Sequence, residues 1–184
     1  PLVSENATST LFHELSHVVT RISGEDRSDW IAEGLAEFYS VELVWRAGGM
    51  SDARRERVYD NLRDWGRTVK TLRTDRSSAE TTARAVVLLH ELDAEIRART
   101  KDQKDIDDVT KILRVMRKVS TLEFIAATEK VLEHQLGLTT IKLVGARIMA
   151  DSENSRTLPA IIHGNLLSTN VRIFMQPLQI RSRI

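Results

Sequence analysis

Two histidines four residues apart constrain this chain more than any other feature, and they lie in the segment His13-Glu14-Leu15-Ser16-His17. On an α-helix, residues at i and i+4 project from one face about one turn apart. The imidazoles of His13 and His17 can therefore reach one Zn²⁺ at about 2.0–2.1 Å each. Glu14 would point beside the metal, where its carboxylate can take a proton from a water molecule. The segment predicts a metal-binding helix, with an exposed helix carrying two surface histidines as the alternative.

A possible third ligand follows in an apolar segment, Trp30-Ile31-Ala32-Glu33-Gly34-Leu35-Ala36-Glu37-Phe38. A catalytic zinc usually has three protein ligands and one open position for water. Glu33 is predicted to be the third ligand because its neighbours are apolar, whereas a solvated acid would be the alternative. Gly34 is predicted to remove a side chain where this helix packs against the helix of His13.

Glu37 lies four residues after Glu33 and therefore shares its helical face. From that position its carboxylate could accept the free ring N–H of His13 or His17, which would fix the tautomer and strengthen the metal ligand. An ordinary surface acid or a helix ion pair explains the residue equally well.

The composition limits which kinds of site are possible. The 184 residues include no cysteine, so a metal must be held by histidine and carboxylate groups, and the redox compartment is not indicated. No apolar run approaches the ~20 residues of a membrane span. The net charge of +1, without lysines and arginines clustered beside aromatics, gives no sign of nucleic-acid binding. The chain begins at Pro1 without a signal-peptide pattern, and we expect it to be part of a longer polypeptide.

Helix-start and helix-stop residues divide the first three-quarters of the chain. They predict helices at about 5–22, 30–47, 52–73, 78–99, 107–119 and 121–137. Ser77 with Glu80, and Ser120 with Glu123, have the spacing of capping boxes. After residue 137 the segments 140–144 and 170–175 are more typical of strands. We therefore predict a mainly α fold, with a helical domain or subdomain at 1–137 and a separate, β-containing C-terminal extension at 138–184.

Taken together, the two motifs resemble those of the gluzincins, zinc peptidases of thermolysin-like fold whose third ligand is a glutamate on the next helix. The pattern is most similar to the glycyl aminopeptidase family, a relative of the zinc aminopeptidases. The resemblance covers roughly residues 10–136, is strongest over 10–40, and includes the Leu92-Asp93 and Ile96-Arg97 pairs. It implies that this chain is the C-terminal helical part of a zincin catalytic domain, with one Zn²⁺ held by His13, His17 and Glu33.

The sequence departs from the family pattern at two places. Fifteen residues separate His17 from Glu33, fewer than is usual in zinc aminopeptidases, so the connection must be tight around Gly24. The family also has a tyrosine before the Leu-Asp helix that stabilises the oxyanion, whereas residues 80–85 here contain none. The remaining candidates for that donor are Arg84, His90, Tyr39 and Tyr59, although His90 is more typical of a core histidine.

These features predict a zinc metallopeptidase that acts on a peptide or protein, with Glu14 as the catalytic base. They leave aminopeptidase and endopeptidase action equally open, because the family's upstream sheet, which lines the substrate cleft, is not in this sequence. The alternative is a zincin-like domain with little or no catalytic activity that serves as a metal-binding structural or interaction module. The missing tyrosine and the missing sheet favour that alternative.

Overall fold

A computed structural model of the chain describes residues 9–132 and Met149. Within these residues the fold is mainly helical, as predicted. The elements in chain order are α1 (Thr10–Thr20), β1 (Ser23–Gly24), α2 (Asp29–Arg46), α3 (Asp52–Gly66), α4 (Ala79–Thr100), α5 (Ile106–Met116), β2 (Lys118–Val119) and α6 (Thr121–Leu132). The predicted strands at 140–144 and 170–175 lie outside the described residues. So does the extension 138–184 as a whole, apart from Met149, which packs against the core.

Two predicted helices are too long. The first was expected to reach residue 22, but α1 ends at Thr20 because Arg21 adopts a left-handed conformation with φ of 52°. The third was expected to reach residue 73, but α3 ends at Gly66. There the chain turns, with the N–H of Val69 donating to the carbonyl of Gly66, and carries Leu72 into the core.

The two short strands were not predicted. Residues 118 and 119 were assigned to a helix, yet they leave α5 and pair in parallel with Ser23 and Gly24. The ladder continues in both directions, since the N–H of Ser23 donates to the carbonyl of Arg117 and the N–H of Glu25 to that of Val119. This pairing ties the α1–α2 connection to the α5–α6 connection and so fixes where α2 begins.

Side-chain caps begin most of the helices. The Ser120 and Glu123 capping box is confirmed, with the N–H of Ser120 2.7 Å from the carboxylate of Glu123. The predicted cap at Ser77 is wrong by one residue. Ser78 is the cap and accepts the N–H of Thr81, whereas the N–H of Ser77 donates to Asp29 at the start of α2.

Helix α2 is the centre of the core, and it packs against α1 on one side and α4 on the other. Its first turn is anchored by Trp30, which is fully buried, makes an edge contact with Phe124 and donates its indole N–H to Thr121. α3 packs against α4, and α5 packs against α6. The position of α2 therefore depends on its packing against α1 and α4 and on the anchoring of Trp30 by α6.

Gly34 has a different role from the one predicted. A Cβ atom added to it would lie 2.8 Å from Cβ of Ala85 and 3.3 Å from Cδ1 of Leu89, both on α4. The glycine thus allows close packing of α2 against α4, on the side of α2 away from α1. The expected contact with the helix of His13 is wrong.

Among the described residues, no helix is both long and apolar enough to cross a membrane.

Candidate metal centre

Helix α1 turns its two histidines towards α2. Ser16, which lies between them on the inner face, is buried and donates its hydroxyl to the carbonyl of Phe12. Ser9 caps the helix by accepting the N–H of Phe12, and Arg21 ends it one turn after His17. The motif therefore lies on a short, well-defined helix, and both histidine side chains are partly buried.

The connection between α1 and α2 is as tight as the sequence required. Gly24 lies so close to the start of α2 that an added Cβ would be 2.4 Å from the carbonyl oxygen of Ser28. Any other residue at this position would force the backbone apart. Since Glu33 follows on the second turn of α2, this close approach sets the distance between Glu33 and the histidines.

The structure brings the three predicted metal ligands together. Nε2 of His13 lies 3.2 Å from Nε2 of His17, and each of these nitrogens lies 3.5 Å from a carboxylate oxygen of Glu33. Two ligand atoms about 2.1 Å from a tetrahedral zinc would be roughly 3.4 Å apart. The three separations fit one small metal ion bound by all three side chains.

Of the alternatives that the sequence left open for Glu37, the structure shows the contact with His13, on the ring nitrogen that faces away from the cluster. Its carboxylate lies 2.9 Å from Nδ1 of His13. A proton on Nδ1 donates to this carboxylate, so the lone pair of Nε2 is directed at the metal position. Within residues 9–132, Nδ1 of His17 has no comparable carboxylate partner.

The carboxylates also set the charge state of the cluster when no metal is bound. The hydrogen bond to Glu33, followed by the one to Glu37, raises the pKa of His13 to about 10. The hydrogen bond to His13 in turn lowers the pKa of Glu33. The metal-free cluster thus holds a proton at the site where a cation would bind, and a metal would have to displace that proton.

Glu14 lies beside this cluster rather than in it. It follows His13 directly on α1 and is exposed. Among the described residues, its carboxylate has no hydrogen-bond or ion-pair partner. It is therefore accessible from solvent.

Both candidate oxyanion donors that are tyrosines lie in other parts of the core. The hydroxyl of Tyr39 lies within hydrogen-bond distance of the carboxylate of Asp107 and of the hydroxyl of Thr110, and burial raises its pKa. Tyr59 donates to the carboxylate of Glu42 at 2.6 Å and is almost fully buried.

The other two candidates belong to the α3–α4 packing. His90 stacks on the ring of Tyr59 at 3.7 Å between centroids, in agreement with the prediction of a core histidine, and burial lowers its pKa. The backbone of Arg84 lies against Gly66, where α3 meets α4. Within residues 9–132, the hydrogen bonds of Tyr39, Tyr59 and His90 are made to groups other than His13, His17 and Glu33.

One buried charge network was not predicted. Glu42, 1% exposed, accepts hydrogen bonds from Tyr59 and from Arg55. The guanidinium of Arg55 also lies over the ring of Trp45, 4.4 Å from its centroid. Arg55 belongs to the charged run at residues 54–57, a pattern that is typical of a solvated helix face. The sequence alone therefore gave no sign of this network.

Comparisons of the chain with protein-family models, with curated proteins and with solved structures found no match.

Proposed function

We propose that this protein is a zinc-dependent metallopeptidase of the thermolysin-like type, with His13, His17 and Glu33 as ligands of one Zn²⁺. The observation that carries the proposal is the separation of the three ligand groups, 3.2 to 3.5 Å, which suits a tetrahedral ion. The donor set of two imidazoles and one carboxylate leaves one position open, as catalytic zinc sites do. The resemblance of the two motifs to the gluzincins supports the choice of zinc and of peptide-bond hydrolysis.

Each residue then has a defined role. A zinc ion at this position would polarise the carbonyl of a peptide or protein substrate and lower the pKa of a water molecule. Glu14, exposed and unpaired among the described residues, would take a proton from that water and pass it to the leaving amine. Glu37 would hold His13 in the tautomer that directs Nε2 at the metal.

The first test measures metal content and hydrolysis on the same samples. Purified protein is expected to carry about one zinc per chain and to cleave members of a peptide library, and a chelator should abolish cleavage. Glu14→Gln should keep the zinc and lose about 10²–10⁴-fold in rate. His17→Ala should lose the zinc itself. Glu25→Gln, a change at an exposed acid on the α1–α2 connection, is the matched control and should behave as wild type.

Peptides with free and with acetylated N-termini identify the type of peptidase. Cleavage that requires the free amine indicates an aminopeptidase, whereas cleavage of both sets within the chain indicates an endopeptidase.

A second candidate function is a metal-binding structural or interaction module without hydrolysis. It is favoured by the engagement of Tyr39 and Tyr59 in the core, since neither hydroxyl is available to stabilise an oxyanion at the metal. For this function we expect stoichiometric zinc, a higher melting temperature with zinc than without, and no cleavage of any peptide in the library. If the wild-type protein does not bind zinc, both proposed functions are contradicted.

A further inference from the structure

Three arginines surround an open cavity between the C-terminal ends of α1 and α5. The cavity has a volume of about 290 Å³ and is lined by Val18, Val19, Thr20, Arg21, Arg114 and Arg117. None of the lining residues is acidic. It is separate from the metal cluster, because no metal ligand lines it.

Among the described residues, the three guanidinium groups have no counterion. Some arginines of the fold are paired with carboxylates, for example Arg46 with Asp107 and Arg97 with Asp93. Within residues 9–132, by contrast, the side chains of Arg21, Arg114 and Arg117 make no hydrogen bond or ion pair. Like charges on the walls of one concave surface produce a positive potential that attracts anions.

The backbone gives a second reason to single out two of these arginines. Arg21 has φ of 52° and ψ of 29°, and Arg117 has φ of 64° and ψ of −49°. Positions of this kind after a helix usually hold glycine or asparagine, because a side chain is strained there. α4 also ends at a basic residue in the left-handed conformation, Lys101 with φ of 53°, so what singles out the cavity is that two such ends, both arginine, flank it together with Arg114. An arginine or lysine in the last helical turn would interact with the helix dipole equally well without that strain.

We propose that this cavity binds the carboxylate groups of an acidic peptide segment. The planar guanidinium group of arginine matches a carboxylate in a bidentate pair. Val18 and Val19 are 66% and 53% exposed at the same cavity, and they would cover the hydrocarbon parts of the bound side chains.

Free inorganic phosphate would leave both valines in water. A membrane surface is too flat to reach arginines on the walls of a cavity. The inference is independent of the proposed hydrolysis, because it requires no metal.

The experiment measures binding to metal-free protein, so that hydrolysis does not interfere. The probe is a fluorescein-labelled peptide of alternating Glu and Val, with a matched peptide in which every Glu is replaced by Gln. The test variant combines Arg21→Gln, Arg114→Gln and Arg117→Gln. The control variant combines Arg54→Gln, Arg57→Gln and Arg67→Gln, which removes the same charge from exposed positions on and just after α3. Circular dichroism establishes whether both variants are folded. A single variant, Arg114→Gln, changes a residue inside a regular helix and leaves the two strained positions, Arg21 and Arg117, unchanged.

We expect wild type and the control variant to bind the acidic peptide with similar affinity and to ignore the Gln peptide. The test variant should bind on the order of tenfold more weakly, since each exposed charge pair contributes a factor of a few. Arg114→Gln alone should show a smaller loss in the same direction. Equal binding by the test and control variants, or equal binding of the two peptides, would overturn the proposal. So would competition by millimolar phosphate or by phosphatidylserine vesicles that is stronger than competition by unlabelled acidic peptide.

Discussion

Removal of the Glu37 carboxylate provides the sharpest test of how the metal cluster is organised. The carboxylate lies 2.9 Å from Nδ1 of His13, and the two side chains are only 19% and 18% exposed. Solvent therefore cannot easily replace the bond. Loss of such a partner typically weakens metal binding by 10–100-fold, which corresponds to about 1.4–2.7 kcal/mol. We expect Glu37→Ala to raise the dissociation constant for zinc by a factor within that range.

The assay is a competition titration of zinc between the protein and a fluorescent chelator at neutral pH. Glu37→Gln keeps an oxygen that accepts the N–H of His13 but lacks the negative charge, so its loss should be smaller than that of Glu37→Ala. Glu25→Ala removes an exposed carboxylate from the α1–α2 connection and should leave zinc affinity unchanged. A folded Glu37→Ala protein with zinc affinity within about twofold of wild type would refute the reasoning, because His13 would then be oriented without Glu37.

Two further predictions concern stability. Tyr59→Phe should lower the free energy of unfolding by about 1–3 kcal/mol in urea denaturation, because it removes one hydrogen bond from the buried carboxylate of Glu42. An unchanged value would mean that Arg55 alone satisfies that carboxylate. For the metal-free protein, the pKa of His13 is about 10 in the folded state against an ordinary 6.5. The contribution of His13 protonation to the free energy of unfolding is fully present below pH 6.5, and it is lost as the pH rises through about 10. The melting temperature should therefore fall over that interval, and it should fall less in Glu33→Gln, which weakens the largest cause of the shift.

The clustering of the three proposed metal ligands could be predicted from the sequence because most of their geometry is local. The spacing of His13 and His17 places both imidazoles on one face of any helix, whatever the rest of the chain does. Glu33 required one further step, the assumption that the next helix returns alongside the first, and the glycine at position 24 supported it. The contact of Glu37 follows from Glu33 by the same helical periodicity.

Features that depend on distant neighbours were not predictable in this way. The pairing of Ser23–Gly24 with Lys118–Val119 joins segments far apart in sequence, and two residues are too few for a strand pattern. The end of α3 depends on a turn that buries Leu72. Apart from Gly66 itself, the sequence up to residue 73 contains no proline or glycine that would mark this helix end. Arg55 belongs to a charged run, and only the position of the buried Glu42 shows that it is a core ion pair. In each case tertiary packing overrides a local pattern.

Gly34 connects the core to the metal cluster, and this connection can be tested by exchanging two side chains. It is the residue next to Glu33, and an added Cβ would lie 2.8 Å from Cβ of Ala85. Gly34→Ala should therefore push α2 away from α4 beside Glu33, the metal ligand that we propose on α2. Well-formed metal sites have ligand distances within about 0.2 Å of their standard values. We expect this variant to bind zinc more weakly. Its free energy of unfolding should fall by about 1–3 kcal/mol because of the overpacking, offset by about 1 kcal/mol from the higher helix propensity of alanine.

The double variant Gly34→Ala with Ala85→Gly removes the clashing methyl group. It should restore zinc affinity, even though the new glycine lowers helix stability. If the double variant binds zinc as weakly as Gly34→Ala, the packing of α2 against α4 does not set the position of Glu33.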